Sequence, residues 1–402
     1  MTELSRSIRR RLSRAIAITM ISAGVWSPAL GQVPVRPLGP IVARISDGIG
    51  SVTSVRPQRS GRLILNDGTH RQLLLLDSKL AIVTVIADSM PTSAHHYYGQ
   101  RSSVILPFRA DSTLLLDRAA ASLVVIDPDG RINRVIAPPA PNFVMAVGMP
   151  GNAQVGSDAA GRLLFTVNRP RQAGTAPRDP TSRDSSVLVR GDVTTHVIDT
   201  ASFLLLRRTN IPGVTSFEPG GRVHRSLTLR PLDLENGDDW AIGLDGSVAI
   251  VRAQDYHVDW IRPDGSRAST PKVAHEWTRL TDGDKAHVVD SLRTIADSIN
   301  RQSPDSIAVV VQEDVVDASA VPDYPPPFVV GGTRFDADGN LWIRTTPASV
   351  IQAVYDVVDA HGVLIDRVRF PGGVTVQGFG RGVVYISSRE GATSVLAVAR
   401  IR

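Results

Sequence analysis

The chain has 402 residues, of which 42% are hydrophobic, 5% aromatic and none cysteine. Without cysteine it has no disulfide framework and no thiolate metal ligand, so its core must hold by burial alone. The formal charge is +5, but five arginines and one glutamate lie in residues 1–31, leaving about +1 for the rest. Lysine occurs only at Lys79, Lys272 and Lys285. That balance argues against nucleic acid as a partner, which would call for a basic stripe on the folded domain.

Residues 1–31 read as an export signal. Arg6, Arg9, Arg10, Arg11 and Arg14 form a basic start, Ala15 to Val25 an apolar run, and Ala29 and Gly31 supply small residues before a cut ahead of Gln32. The run is shorter than the ~20 residues of a spanning helix. A periplasmic or secreted protein with no transmembrane segment is expected. Both a general secretory and a twin-arginine signal fit the arginines.

Gln32 to Pro40 is proline-rich and extended, and Ile41 to Ile45 is a short strand with no local partner. Beyond it, one unit recurs six times: a small turn, a short apolar run, a gap and a second apolar run. The turns open at Gly61, Ser112, Gly161, Gly246, Gly339 and Gly380. Repeats of this kind signal a radial or solenoid architecture. A six-bladed all-β propeller of four-stranded antiparallel blades over 32–402 is expected, with Ile41 to Ile45 completing the last blade and removing two exposed edges.

The first two blades span Ser51 to Ala87 and Val104 to Ile136, and Asp127-Pro128-Asp129-Gly130 is a strong turn signal. Blade three carries a polar, Arg- and Pro-rich insertion over 168–186, expected to be a mobile surface loop. Blade four (Trp240 to Gly265) repeats the Pro-Asp-Gly turn. After it, over about 278–302, the apolar period changes from 2 to 3.6. Val288, Val289, Leu292, Ile295, Ala296 and Ile299 then share a helical face, with Thr281 or Asp282 as N-cap. Blades five (Thr333 to Phe370) and six (Val374 to Ile401) close the chain.

The stretch Asn66-Asp67-Gly68-Thr69-His70-Arg71, before an apolar run ending in Asp77, resembles NHL-repeat and related exported bacterial six-bladed propellers. The likeness spans Ile41 to Arg402 and implies architecture; a fold carries no function by itself.

Several residues could carry chemistry. In such a blade the loops between strands two and three share a face with the connections between blades, and function gathers where loops cluster. Arg71, Arg118, Arg252 and Arg344 are placed there, as forks suited to carboxylates or phosphates. Asp255, Tyr256 and His257 form a polar group in which Asp255, His257 and Asp259 alternate onto one strand face. An Asp–His pair could orient an imidazole as a base, or be an ordinary hydrogen-bonded sheet pair. His95-His96 lacks a third ligand at usable spacing, so no metal site is assigned. The recurring aspartates (Asp77, Asp127, Asp199, Asp359, with Asp129, Asp245, Asp264 and Asp338) are expected to cap turns.

No GxSxG, Walker, HExxH or CxxC pattern is present. The first expectation is therefore an exported monomer that binds a protein, peptide or glycan at the cell envelope, without a cofactor. A metal-dependent hydrolase or lactonase-like enzyme with a divalent cation in the central channel is the second. A small-anion binder using the channel-mouth arginines is the third.

Overall fold

The apolar runs become strands because each is short, β-branched or leucine-rich, and bounded by an Asp- or Gly-containing turn. The computed structural model describes residues 33–402 except 90–103, 118–119, 141–142, 144–146, 148–154, 159, 168–184, 206–210, 218–222, 303–308, 347–351 and 392. The leader, His95-His96, Arg118 and nearly all of the blade-three insertion lie outside the described residues.

In chain order, β1 (Val35–Pro37) and β2 (Ile41–Ile45) precede the blades. Blade one is β3 (Val52–Pro57), β4 (Leu63–Asp67), β5 (Gln72–Leu76) and β6 (Ile82–Ala87). Blade two is β7 (Ile105–Pro107), β8 (Thr113–Asp117), β9 (Ser122–Ile126) and β10 (Ile132–Ile136). Blade three is β11 (Val155–Ser157), β12 (Arg162–Val167), β13 (Ser185–Asp192) and β14 (Ile198–Leu205), followed by β15 (Ile211–Phe217) and β16 (Val223–Leu229). Blade four is β17 (Asp239–Ile242), β18 (Val248–Arg252), β19 (His257–Ile261) and β20 (Arg267–Ser269), followed by α1 (Asp282–Gln302) and β21 (Val309–Val315). Blade five is β22 (Arg334–Phe335), β23 (Leu341–Arg344), β24 (Val354–Val358) and β25 (Leu364–Arg369). Blade six is β26 (Thr375–Gly380), β27 (Val383–Glu390) and β28 (Thr393–Arg400).

Six four-stranded antiparallel sheets form the ring of a six-bladed β-propeller. First strands of successive blades touch around it: β26 with β3, then β7, β11, β17 and β22. The fourth strand of blade six is β2, paired antiparallel with β28 (Ile45 opposite Leu396). β1 adds a parallel fifth strand to blade five, with Arg36 opposite Val368. Arg36 fixes that strand through an ion pair with Asp366 at 2.5 Å.

Six apolar clusters fill the six junctions between neighbouring blades. Between blades one and two, for example, Ile64, Leu73 and Leu75 pack on Ile105, Leu115 and Ile126. Each such side chain contributes about 1.5–3 kcal/mol on burial. The inner strands are buried on both faces, as in β4, whereas β6 leaves Ile82, Val83 and Val85 exposed, because an outermost strand has a neighbour on one side only.

The turns share one chemistry. In Asp77, Asp127, Asp336 and Asp359 the Oδ1 accepts the backbone N–H groups two and four residues on. Gly130, Gly339 and Gly362 then take the left-handed position of the turn, and Leu80 takes it in blade one. Asp199 departs from the expectation: it lies inside β14, and the turn residue is Asp192, which accepts from Thr194 and Thr195.

Asp67 holds the connection into blade one. It is fully buried and accepts from Gly50, Ser51 and Thr69 N–H at 2.6, 2.9 and 3.0 Å, with His70 Nδ1 at 2.8 Å. Burial pushes its carboxyl up, but the backbone donors of Gly50, Ser51 and His70 outweigh that and hold it below the ordinary carboxylate range. A depressed folded value stabilises the protein above the unfolded value and is lost as pH falls through the folded one. Asp67→Asn should cost about 3 kcal/mol at pH 7, because it leaves buried donors poorly met. In urea unfolding, the gap to the parent should shrink toward pH 3; an equal gap at both pH values would contradict this role.

α1 is entered through a reciprocal cap. Thr281 Oγ1 accepts the Asp284 N–H at 3.2 Å, and the Asp284 carboxylate accepts the Thr281 N–H at 2.8 Å. The buried stripe is narrower than the periodicity suggests. Val289 and Ala296 are buried, but Ile295 and Ile299 are 50% and 38% exposed, since α1 packs mainly on the single strand β21. The sequence reading also omits a second sheet, of order β15-β16-β21, in which β21 runs parallel to β16. Asn300 clamps α1 to β21 through both its amide atoms on Glu313 backbone groups. The chain thus leaves β16, builds blade four, and returns to lay β21 beside β16. No described helix is long and apolar enough to cross a membrane.

Candidate functional site

Strand order divides the ring into two sides. Hairpins joining strands one to two and three to four form a turn side. Loops joining strands two to three, and the connections between blades, form the other. The second side carries β15, β16, α1 and β21.

The residues expected to bind there take different roles. Arg252, at the end of β18, is fully engaged. Its Nε donates to Asp259 at 2.7 Å, and its Nη1 donates to Asp238 at 2.7 Å and to the Phe203 carbonyl at 2.8 Å. Burial lowers the guanidinium, but Asp259 and Asp238 outweigh it and hold it above its usual value. Asp238 also accepts the Leu205 and Ala253 N–H groups, so this arginine ties blade three to blade four.

His257 is set between two carboxylates, Asp255 at 2.5 Å and Asp259 at 3.3 Å; Asp259 shares its face of β19, whereas Asp255 lies in the turn before the strand, so alternation does not place it. Its hydrogen bond holds Asp255 below the ordinary carboxylate range, with Lys272 adding at 3.5 Å. No serine, threonine or tyrosine hydroxyl is hydrogen-bonded to this imidazole among the described residues; Ser269 Oγ donates instead to Asp259 at 2.5 Å.

Tyr256 is 1% exposed and donates to Asp356 at 2.8 Å across the junction of blades four and five. Burial, reinforced by the Asp356 charge, pushes its hydroxyl well above its usual value. Asp356 is itself raised by burial, against the opposing pull of Arg367, which pairs with it at 3.1 Å. Tyr256 is therefore a core link. Arg71 is exposed on the blade-one turn at φ 53°, away from the other arginines on blades four and five.

Arg344 differs. It ends β23 and lines a cavity of about 220 Å³ with Asp233, Gly332, Arg334, Tyr355 and Thr375. Its Nε is buried and has no hydrogen-bond partner among the described residues. Tyr355 is 6% exposed, and no hydrogen bond among the described residues reaches its hydroxyl. Burial pushes that hydroxyl up, and the nearby Arg344 and Arg334 charges pull it back down. Arg334 is anchored by Nη1 on the Gly331 and Thr333 carbonyls at 3.0 and 2.7 Å.

Thr375 is shared with a second cavity of about 360 Å³ between blades six and one. Ser51, Ser387, Ser388 and Ser394 line it, with Arg389. Both cavities sit where strands begin after an interblade connection, hence on the side that bears the insertions. A third cavity, of about 230 Å³, lies around Arg252, Ser202 and Ser269, and its arginine is already occupied. Among the described residues, no three His, Cys, Asp or Glu side chains come together in an arrangement that could hold a metal ion.

Arg334, Tyr355 and the serines of blade six are absent from the sequence expectation. The polar run Ser387-Ser388-Arg389-Glu390, interrupting a strand that begins Val383-Val384-Tyr385-Ile386, is the signal that could have found the serines. Nothing in the sequence brings Arg334 to Arg344, because that contact depends on pairing of β22 with β23.

No known family matches the chain, and no curated protein matches it. Several solved structures are similar to the chain. A member of the DUF4221 family from Bacteroides vulgatus is 11% identical over 92% of this chain and 99% of its own, with a TM-score of 0.49. A Bacteroides fragilis protein whose name marks it as exported is 10% identical over 92% and 95%, at 0.44. Regucalcin from Agrobacterium tumefaciens, named as calcium-binding, is 12% identical over 92% and 98%, at 0.38.

Proposed function

We propose that this chain is an exported binding propeller that takes a protein, peptide or glycan ligand at the cell envelope, on the side bearing the interblade connections. One observation carries the reading: two neighbouring cavities share Thr375, and one of them is lined by Arg344, whose buried Nε is unmet among the described residues. Together, at about 220 and 360 Å³, they fall within the ~300–1,000 Å³ of an ordinary ligand site. The polar cluster around His257 supports the scaffold instead, since Arg252, Asp255 and Asp259 are held by one another and by blade three. The basic, apolar-cored leader supports export, with the periplasm or the exterior as destination.

The test is a peptide and glycan array probed with labelled protein. Binding is expected, and Thr375→Trp, which fills the wall common to both cavities, should weaken it ~10-fold or more, a loss of about 1.4 kcal/mol. Asp129→Ala, on the turn side where Asp129 pairs with Arg62, should leave it unchanged. Metal-dependent hydrolysis of lactones by the purified protein, or binding indifferent to Thr375→Trp, would overturn the reading.

A further inference from the structure

We propose that the cavity beneath Arg344 and Tyr355 seats the carboxylate end of an extended ligand whose remaining length crosses Thr375 toward the serines of blade six. This rests on the binding role just given and names the chemistry it would recognise.

A buried donor left unmet costs about 1–3 kcal/mol, and more when charged. Folded proteins meet nearly all such groups, so each exception calls for an explanation. Here one exception lies in the cavity, the Arg344 Nε, and the hydroxyl of Tyr355, which no hydrogen bond among the described residues reaches, belongs to the same lining. Arg334 adds a third donor at the rim, held in place by its two carbonyl contacts. The one carboxylate lining the cavity, Asp233, is exposed. The cavity's other polar side chains, Arg334, Arg344, Tyr355 and Thr375, can all donate, which fits a group that only accepts.

A carboxylate suits it better than a phosphate. The Nε–Nη edge of a guanidinium presents two parallel N–H groups, matched by two coplanar oxygens. The charge of Asp233 opposes a dianion more than a monoanion. Gly332 makes the seat possible. A Cβ there would lie 2.6 Å from Arg344 Cβ and 2.9 Å from the Val329 carbonyl, so a larger residue would displace the arginine. Below the size of a whole-ligand site, the 220 Å³ cavity holds an end, and the hydroxyl-lined 360 Å³ cavity beyond Thr375 accommodates a polar body.

Two probe pairs test the seat by calorimetry: N-acetyl-trialanine as free acid and as C-terminal amide, and glucuronate and glucose. In at least one pair the acid should bind ~10-fold or more tighter than its neutral twin, the size of a lost charge-assisted hydrogen bond. The responding pair identifies a peptide terminus or a sugar acid as the source. Arg344→Met should abolish the acid preference while the ligand-free melting temperature stays level or rises, because a buried unmet donor is removed. Tyr355→Phe should weaken the acid ~5-fold. Equal binding of acid and neutral partner in both pairs, no binding in either, or phosphate competing as well as the acid would overturn the proposal. Array ligands bound by Arg344→Met at parental affinity would overturn the carboxylate seat and leave the binding side standing; no array binding by the parent would remove the reading beneath it.

Discussion

Deleting residues 33–45 should leave a chain that is largely unfolded or aggregated at 37 °C. The deletion removes β1 from blade five and β2 from blade six together. It strips the ladder from one side of β28, whose Ser394 to Ala399 are all buried, and removes the Arg36–Asp366 pair. Ala43 and Ile45 also leave the cluster between blades six and one. Several ladder hydrogen bonds at about 1 kcal/mol each, with the apolar loss, come to the order of 5 kcal/mol or more. That is comparable with the whole stability of a domain, about 5–15 kcal/mol. The bared apolar edge is a template for pairing with other chains. Denaturant unfolding and size-exclusion chromatography of the shortened chain check this. A soluble monomer melting within a few degrees of the parent would contradict it.

Arg252→Ala should destabilise the protein by about 3 kcal/mol without altering ligand binding. The side chain neutralises Asp238, which is 7% exposed, and Asp259, and it holds the Phe203 carbonyl of blade three. Removing one partner of a buried pair strands the other charge, at about 3–5 kcal/mol. The guanidinium is 24% exposed, so the lower end applies. Thermal melts and array binding of Arg252→Ala read the two effects separately. Unchanged stability, or lost binding in a folded variant, would contradict the assignment of this arginine to the scaffold.

The two channel-side arginines show how far the sequence could be read. Arg252 and Arg344 occupy the same repeat phase, each ending the second strand of a blade. The repeats locate both on the side bearing the connections, but not their partners. Arg252 meets Asp238 because a connection from blade three passes beside it, whereas Arg344 pairs with no carboxylate among the described residues and shares its cavity with Gly331, Gly332 and the exposed Asp233. The blades themselves were legible, because alternation and Asp-Gly turns are local properties. The β15-β16-β21 sheet was not, because the paired Val223 of β16 and Val309 of β21 are 86 residues apart and pair across a complete blade. Tyr256 reads as a candidate ligand-binding member of a polar group with Asp255 and His257, yet with a left-handed backbone at φ 44° it lies in the core and meets Asp356.

The most direct measurement of the central claim is a crystal structure grown with the tightest array ligand. The account predicts a ligand oxygen within hydrogen-bonding distance of Arg344 Nε and ligand atoms against Thr375. A ligand seated instead around Arg252 and Ser269, or on the turn side by Arg62 and Asp129, would contradict it.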